Sequence, residues 1–166
     1  MNTQLPKPDD LISSMTSELR SSLADNPIMI GIHTGGVWVA SLLHQNLELT
    51  TPLGSIDITL YRDKFSKTGL HPLVQESEIP ADIEGRSLIL VDDVLQTGRT
   101  IRAALNEIFS WGRPATVRLA VLVERKGREL PIQPDVVGTR LDLKNSDHIK
   151  LSGPDNLKLF VHQNQS

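Results

Sequence analysis

The chain has 166 residues, of which 39% are hydrophobic and 22% charged, and its formal net charge is −3. This composition suits one soluble domain with a real core and excludes a wholly disordered chain. The sequence has no cysteine, which excludes disulfide scaffolds, thiolate zinc sites and cysteine nucleophiles. No stretch approaches the roughly 18 consecutive apolar residues of a membrane span, and the polar first ten residues are not typical of a secretory signal. We therefore expect a cytoplasmic protein with no membrane contact.

In chain order, the first half of the sequence predicts helices and strands in alternation. Helical spacing of apolar residues marks two helices, an unbroken apolar run marks a doubly covered strand, and apolar–polar alternation marks a half-buried strand. These elements are a helix at 11–23, a strand at 28–32, a helix at about 37–47 and a strand at 56–61. The turn His33-Thr34-Gly35-Gly36 joins the first strand to the second helix.

The second half begins with residues 62–85, which have no period and predict a mobile loop, or else a hairpin. The elements predicted after it are a strand at 88–91, a helix at about 99–111 and strands at 116–123, 136–138 and 157–161. The helix has an apolar face of Ile101, Leu105, Ile108 and Phe109. The alternation predicts a single α/β domain over residues 1–166, with a mainly parallel sheet and helices on both faces. Ligands of such folds bind beyond the carboxyl ends of the strands.

Two adjacent acids, Asp92 and Asp93, follow the apolar strand at 88–91. Two like charges side by side are unfavourable unless a cation or a hydroxyl-rich ligand meets them. Thr97-Gly98-Arg99-Thr100 then begins a helix, whose free backbone N–H groups suit a phosphate. The pattern therefore predicts a binding site for a sugar phosphate, in which the sugar hydroxyls would donate hydrogen bonds to the two carboxylates. The alternative is that the acids merely end a strand and Thr97 merely caps a helix.

The full order of four apolar residues, two acids, three residues and Thr-Gly-x-Thr resembles the 5-phosphoribosyl-1-pyrophosphate (PRPP) signature of the type I phosphoribosyltransferases. The glycine-rich turn at 34–36 resembles the pyrophosphate loop of that family. Its two glycines would let backbone N–H groups approach an anion closely. The resemblance implies the type I phosphoribosyltransferase fold, which is a central, mainly parallel sheet with a small base-binding hood.

Residues 58–63 and 119–132 are similar to the PyrR family, and that resemblance covers about residues 28–138. It implies a uracil phosphoribosyltransferase that forms UMP and pyrophosphate from uracil and PRPP with Mg²⁺. It also implies a homodimer or homotetramer that can regulate pyrimidine operons by binding attenuator RNA. Two alternatives remain open at this point: an RNA-binding sensor of UMP or PRPP with weak catalysis, and a phosphoribosyltransferase for a purine base.

The resemblance also implies roles for individual residues. Asp92 and Asp93 would be catalytic and hold the ribose hydroxyls, and Asp93 is the better candidate for assisting loss of the base proton. Mg²⁺ would be held through PRPP and not by a direct set of protein ligands. The implied contacts are Val94, Leu95, Gln96, Thr97, Gly98, Arg99 and Thr100 for the 5-phosphate, Thr34, Gly35 and Gly36 for pyrophosphate, Arg62, Lys64 and Lys67 for loop closure, and Arg128, Val136, Val137 and Gly138 for the base.

Two departures from the family pattern affect these expectations. Gly35 stands where the family usually carries an arginine, and loss of a bidentate guanidinium predicts weaker PRPP binding. The first helix carries fewer cations than the family pattern, which counts against RNA binding. The cluster of Arg125, Lys126 and Arg128 has three interpretations: a solvated edge, a phosphate or subunit contact, and an RNA-binding patch.

Overall fold

The computed structural model describes residues 4–58 and 76–163. Within those two ranges three helices and seven strands follow one another, and no helix there is both long and apolar enough to cross a bilayer. The elements are α1 (Pro8–Ser21), β1 (Ile28–Ile32), α2 (Gly35–Asn46), β2 (Gly54–Ile56), β3 (Ser87–Leu95), α3 (Arg99–Trp111), β4 (Thr116–Arg125), β5 (Val136–Leu141), β6 (Asp147–Ser152) and β7 (Lys158–Gln163).

Strands β1 to β5 form one parallel sheet in the order β2-β1-β3-β4-β5. Parallel neighbours need crossover connections, which α2 supplies between β1 and β2 and α3 supplies between β3 and β4. Because all five strands run the same way, their carboxyl ends lie along one edge. The segments that follow β1 and β3 are therefore brought side by side, and the predicted parallel α/β fold is confirmed.

Two hydrophobic clusters cover the two faces of the sheet. One joins α1 and α2 to the sheet and includes Met15, Met29 and Leu43. The other joins α3 to the opposite face and includes Ile30 and Ile108. Every residue of β1 is buried, as its unbroken apolar run predicted.

The hairpin of β6 and β7 stands apart from the main sheet, and only its second strand was anticipated by the sequence. Four of the six residues of β6 are polar, so no clear strand pattern is visible there in the sequence. In the structure Ile149 and Leu151 are its two buried side chains, and they alternate with exposed ones. The hairpin packs on the main domain through these two side chains, which belong to the same cluster as α1 and α2.

Three local expectations were wrong. The strand that contains the acids does not end before them, because β3 continues to pair with β4 as far as Leu95. Residues 59–61 of the half-buried strand predicted for 56–61 lie outside the described residues; in the described part, β2 ends at Ile56 and the next residue, Asp57, is buried instead of exposed. Phe109 is not on the apolar face of α3, since it is 55% exposed whereas Ile108 is fully buried.

Residues 76–85, which the sequence placed in a long loop, pack against the domain. Glu78 and Ser55 form an isolated antiparallel bridge with hydrogen bonds of 2.7 and 2.9 Å. Ile83 is 1% exposed and joins the cluster on the α3 side of the sheet. The backbone N–H of Gly85 donates to the carbonyl of Arg113 at 2.9 Å. This segment is therefore part of the folded body.

Candidate functional site

The glycine-rich turn and the two acids meet at the carboxyl edge of the sheet. Strand β1 pairs with β3 up to Gly31 opposite Val91, so the residues that follow each strand are neighbours. A Cβ placed on Gly36 would lie 2.7 Å from the carbonyl oxygen of Val91 and 3.0 Å from Cα of Asp92. The turn therefore rests directly on the backbone of β3, and the peptide bond between His33 and Thr34 within it is cis.

Both acids have one carboxylate oxygen fixed by the backbone. Oδ1 of Asp92 accepts from the N–H of Asp93 at 2.9 Å, and Oδ1 of Asp93 accepts from the N–H of Val94 at 2.9 Å. Asp92 is 5% exposed, whereas Asp93 is half-buried. Oδ2 of Asp93 lies against Gly35, so one of the two acids directly contacts the glycine-rich turn. The acids are thus held in fixed positions next to that turn.

The segment from Val94 to Thr100 ends β3 and begins α3. Gly98 is the N-cap of α3 and has φ of 92°, a left-handed conformation that favours glycine. It has no side chain to cap the helix, and the N–H of Arg99 donates to Oγ1 of Thr97 at 3.1 Å. The other N–H groups of the first turn are donors of the kind that bind phosphate at helix N-termini. Thr97 thus supports this turn from outside the helix.

The connection between β4 and β5 is bound to the same segment. The N–H groups of Glu129 and Leu130 both donate to the carbonyl of Thr97, at 2.9 and 3.1 Å. The guanidinium of Arg99 pairs with the carboxylate of Glu129 at 2.8 Å. A Cβ on Gly98 would also lie 3.1 Å from Ile132. Residues 127–132 therefore form a cover on the loop between β3 and α3, which we call the β4–β5 cover.

Arg128 is the central contact of the β4–β5 cover. Its Nη1 donates to the carbonyl of Gln96 at 2.8 Å, and its Nε donates to the carbonyl of Ile132 at 2.7 Å. Its Nη2 pairs with the carboxylate of Glu124. The sequence assigned Arg128 to the base, but its donors hold the loop at residue 96. No local pattern signals this role, because the partner lies 32 residues away.

The other predicted base contacts lie on opposite faces of the sheet. Val136 is 1% exposed and belongs to the cluster with α1, and a Cβ on Gly138 would meet the carbonyl of Leu122. Val137 packs on the α3 side together with Ile132 of the β4–β5 cover. The structure therefore places Val137 on the same face as the cover, and Val136 and Gly138 on the other face. Arg62, Lys64 and Lys67, the predicted closure residues, lie outside the described residues.

The predicted basic cluster is engaged within the chain. Arg125 is 4% exposed and donates to the carbonyls of Asp147 and Lys144, which ties the start of the β6–β7 hairpin to β4. Lys126 is exposed and pairs with Asp142 at 2.7 Å. These residues line an open cavity of about 460 Å³ at the carboxyl ends of β4 and β5. Within the cluster, Arg125 and Arg128 are therefore held by contacts inside the chain, and Lys126 is exposed with a carboxylate beside it.

The carboxylate oxygens at the site suit a hard cation that is bound partly through the substrate. Asp92 and Asp93 supply carboxylate oxygens, the ligands that Mg²⁺ prefers. In the part of the chain that the structure describes, no three His, Cys, Asp or Glu side chains are grouped closely enough to hold a metal alone. A Mg²⁺ ion here would be held mainly by substrate oxygens and water, with the two carboxylates nearby to balance its charge.

Comparisons with known proteins agree with this geometry. The model of the phosphoribosyl transferase domain matches residues 4–151. The chain is 53% identical over 159 residues to the bifunctional protein PyrR of Pseudomonas putida, covering 93% of this chain and 92% of that protein. It is 54% identical over 159 residues to the bifunctional protein PyrR of Nitrosococcus oceani, with 92% and 90% covered.

Solved structures share the fold at lower sequence identity. A hypoxanthine-guanine phosphoribosyltransferase from Bacillus anthracis matches with a TM-score of 0.66 and 17% identity, covering 85% of each chain. A purine phosphoribosyltransferase from Pyrococcus horikoshii matches with a TM-score of 0.63 and 24% identity, covering 81% of this chain and 83% of that one. The domain match and the close relatives together mean that the chain belongs to the PyrR family of phosphoribosyltransferases.

Proposed function

We propose that this protein transfers the phosphoribosyl group of PRPP to uracil and releases UMP and pyrophosphate. The observation that carries the proposal is the direct contact between the two-acid motif of β3 and the glycine-rich turn after β1. PRPP carries its free ribose hydroxyls between a phosphate at C5 and a pyrophosphate at C1. A site for it needs carboxylates between two sets of N–H donors, and Asp92 and Asp93 lie between the turn at 34–36 and the start of α3.

The carboxylates have two tasks in the proposed reaction. They accept hydrogen bonds from the two ribose hydroxyls, which fixes the ring while the bond between C1 and pyrophosphate breaks. Their negative charge also stabilises the positive charge that develops at C1 in the transition state. Asp93 is the better placed of the two for solvent and substrate, since it is half-buried and Asp92 is buried. We assign to Asp93 the assistance to loss of the base proton.

The phosphate groups are held by backbone donors. The 5-phosphate binds at residues 94–100, where the first turn of α3 and the hydroxyls of Thr97 and Thr100 supply donors. Pyrophosphate binds at Thr34, Gly35 and Gly36. Mg²⁺ neutralises the charge of the leaving pyrophosphate when it is bound. Arg62, Lys64 and Lys67 are proposed to close over the site and exclude water.

Base recognition is proposed at the β4–β5 cover and Val137. These residues lie next to the loop that binds the 5-phosphate, so the base and the phosphate are recognised by touching segments. The guanidinium of Arg128 is already engaged by two carbonyls and a carboxylate, so it orients the cover and leaves backbone groups to read the base.

A second candidate function is regulation by binding RNA, and the name of the relatives as bifunctional proteins is the observation that favours it. Neither a net charge of −3 nor the internally paired cations at 125–128 provides an extended basic face. A gel-shift titration with pyrimidine-leader RNA tests it. A UMP-dependent shift that weakens with salt supports regulation, and no shift at low salt removes it.

The working form is proposed to be a homodimer or homotetramer in the cytoplasm. A mass measurement in solution with and without PRPP decides the oligomeric state.

The test of the proposed function is a panel of bases in one turnover assay. Uracil, hypoxanthine, guanine and adenine are each incubated with PRPP, Mg²⁺ and the protein, and the nucleotide products are separated and measured. We expect UMP from uracil and little product from the purines. If a purine nucleotide were the main product, the substrate would be a purine and the assignment of uracil would be wrong. If no base gave a product, the transferase proposal would be refuted.

A further inference from the structure

The open cavity of about 460 Å³ at the carboxyl ends of β4 and β5 adjoins the loop proposed to bind the 5-phosphate. Leu95, the last residue of β3, pairs in register with Glu124 of β4, and Glu124 pairs in turn with Arg140 of β5. A Cβ placed on Gly127, which lines the cavity, would lie 3.2 Å from Nε2 of Gln96. Small-molecule sites have volumes of about 300–1,000 Å³, so the cavity has room for a base beside the sugar phosphate.

Glu124 is the less exposed of the two acids that line this cavity. Its Oε2 accepts from Nε of Arg140 at 2.8 Å, and its Oε1 pairs with Nη2 of Arg128. The Glu124 side chain is 16% exposed, whereas that of Asp142 is 72% exposed and pairs with Lys126. Two ion pairs therefore hold the Glu124 carboxylate in one orientation, at a position that is largely removed from water.

The pair of Glu124 and Arg140 keeps hydrogen-bonding groups for a ligand. Each oxygen of an ionised carboxylate has two lone-pair positions. Within residues 4–58 and 76–163, one arginine N–H occupies one position on each oxygen of Glu124, so one position remains on each. Over the same residues the Arg140 guanidinium donates through Nε alone, which leaves the N–H groups of Nη1 and Nη2. The pair therefore presents an acceptor next to donors in the lining of the cavity.

An acceptor next to donors is complementary to a base edge in which an N–H stands beside a carbonyl. Uracil has such an edge, because its N3–H lies between two carbonyl groups. Cytosine has an unprotonated N3 beside an amino group, so the lone pair of N3 would face a lone pair of the carboxylate. A polar group that is removed from water without a partner costs more than the hydrogen bond that is lost. The arrangement therefore favours uracil over cytosine.

We propose that Glu124 selects the base, by accepting a hydrogen bond from N3–H of uracil while Arg140 donates to an adjacent carbonyl. This inference rests on the proposed function, and it adds a side chain to the backbone groups proposed to read the base. Because the base uses the lone pairs that the arginines leave, both ion pairs of Glu124 persist when it binds. The sequence placed base recognition at residues 128 and 136–138 and did not include Glu124.

The first test measures binding and needs no turnover. UMP and CMP are titrated by calorimetry into the natural chain and into Glu124→Gln, which keeps the shape of the side chain, removes its charge and adds an amide donor. We expect the natural chain to bind UMP at least about tenfold more tightly than CMP, because CMP lacks the hydrogen bond to a charged group. In Glu124→Gln this preference should fall to about threefold or less, because the amide can also donate to N3 of cytosine.

Asp142→Asn is the matched control, because it makes the same change in the exposed acid of the cavity. It should leave the preference for UMP unchanged. A structural role of Glu124 would weaken the binding of both nucleotides equally, so an unchanged preference in Glu124→Gln would overturn the proposal. A natural chain that does not prefer UMP to CMP would also overturn it.

A crystal structure of the natural chain with UMP gives the same decision if Glu124→Gln does not fold. N3 of the base at about 2.7–3.2 Å from an oxygen of Glu124 supports the proposal, and N3 bonded to another group refutes it.

A kinetic test separates base selection from support of the phosphate loop. In UMP formation we expect Glu124→Gln to raise KM for uracil at least about tenfold and KM for PRPP less than about twofold. An equal rise of both would overturn the proposal. A natural chain that forms no nucleotide from any base refutes the proposed function, while the binding test still decides the role of Glu124. If the main product is a purine nucleotide, IMP and AMP replace UMP and CMP in the binding test, because hypoxanthine has an N–H beside a carbonyl and adenine does not.

Discussion

Arg128 joins the β4–β5 cover to the loop that we propose binds the 5-phosphate, so its removal should weaken both the fold and the site. Arg128→Met keeps much of the apolar stem and removes the donors to Gln96, Ile132 and Glu124. A hydrogen bond from a charged group contributes about 1.5–3 kcal/mol, but such terms do not add fully. The side chain is 25% exposed, so water replaces part of what is lost. We expect the free energy of unfolding to fall by about 2–3 kcal/mol.

Arg140→Met is the matched control, since Arg140 shares the carboxylate of Glu124 at 2.8 Å but is 72% exposed. An exposed ion pair is worth about 0–1 kcal/mol, so this variant should lose less than 1 kcal/mol. Urea denaturation of both variants measures the difference. In the transferase assay Arg128→Met should also raise KM for PRPP, because the carbonyl of Gln96 loses its hydrogen bond from the guanidinium. Equal stabilities of the two variants would refute the central position given to Arg128.

Further predictions follow from burial. Gly36→Ala should destabilise the protein by about 1–3 kcal/mol, because its Cβ meets the carbonyl of Val91, and unfolding in denaturant measures this. Ile108→Ala should cost about 2–5 kcal/mol and Phe109→Ala less than about 1 kcal/mol, since the first is fully buried and the second 55% exposed; similar losses would contradict the assigned face of α3. Lys126→Ala should change stability by less than about 0.5 kcal/mol because its ion pair is exposed, and a larger loss would mean that the pair supports the fold.

Much of the fold was predictable because its central elements are locally patterned. The run from Ile28 to Ile32 has no polar side chain, so its burial on both faces of a parallel sheet followed from the sequence. The end of β3 was not predictable, because its length is set by pairing with β4 and the acids carry no strand signal. Phe109 was misplaced because successive residues turn by about 100° around a helix, which takes it away from the stripe centred on Ile108.

The candidate site divides in the same way. The acids and Thr97-Gly98-Arg99-Thr100 are contiguous, so the motif could be recognised from residue order. The contact of Gly35 with Asp93 and the bond from Arg128 to Gln96 join residues far apart in the chain, and no periodicity predicts them. For the same reason the sequence treated Gly35 only as a missing cation, whereas its packing against a carboxylate became visible in three dimensions.

The central claim is that the carboxylate of Asp93 acts in phosphoribosyl transfer to uracil, and Asp93→Asn tests it most directly. The amide keeps an oxygen for the N–H of Val94 and removes the negative charge. Asp25→Asn is the control, since this exposed acid precedes β1 and lies toward the amino ends of the strands. With saturating uracil, PRPP and Mg²⁺, we expect kcat for UMP formation to fall about a hundredfold in Asp93→Asn and to stay unchanged in Asp25→Asn. An Asp93→Asn protein that forms UMP at the rate of the natural chain would contradict the claim.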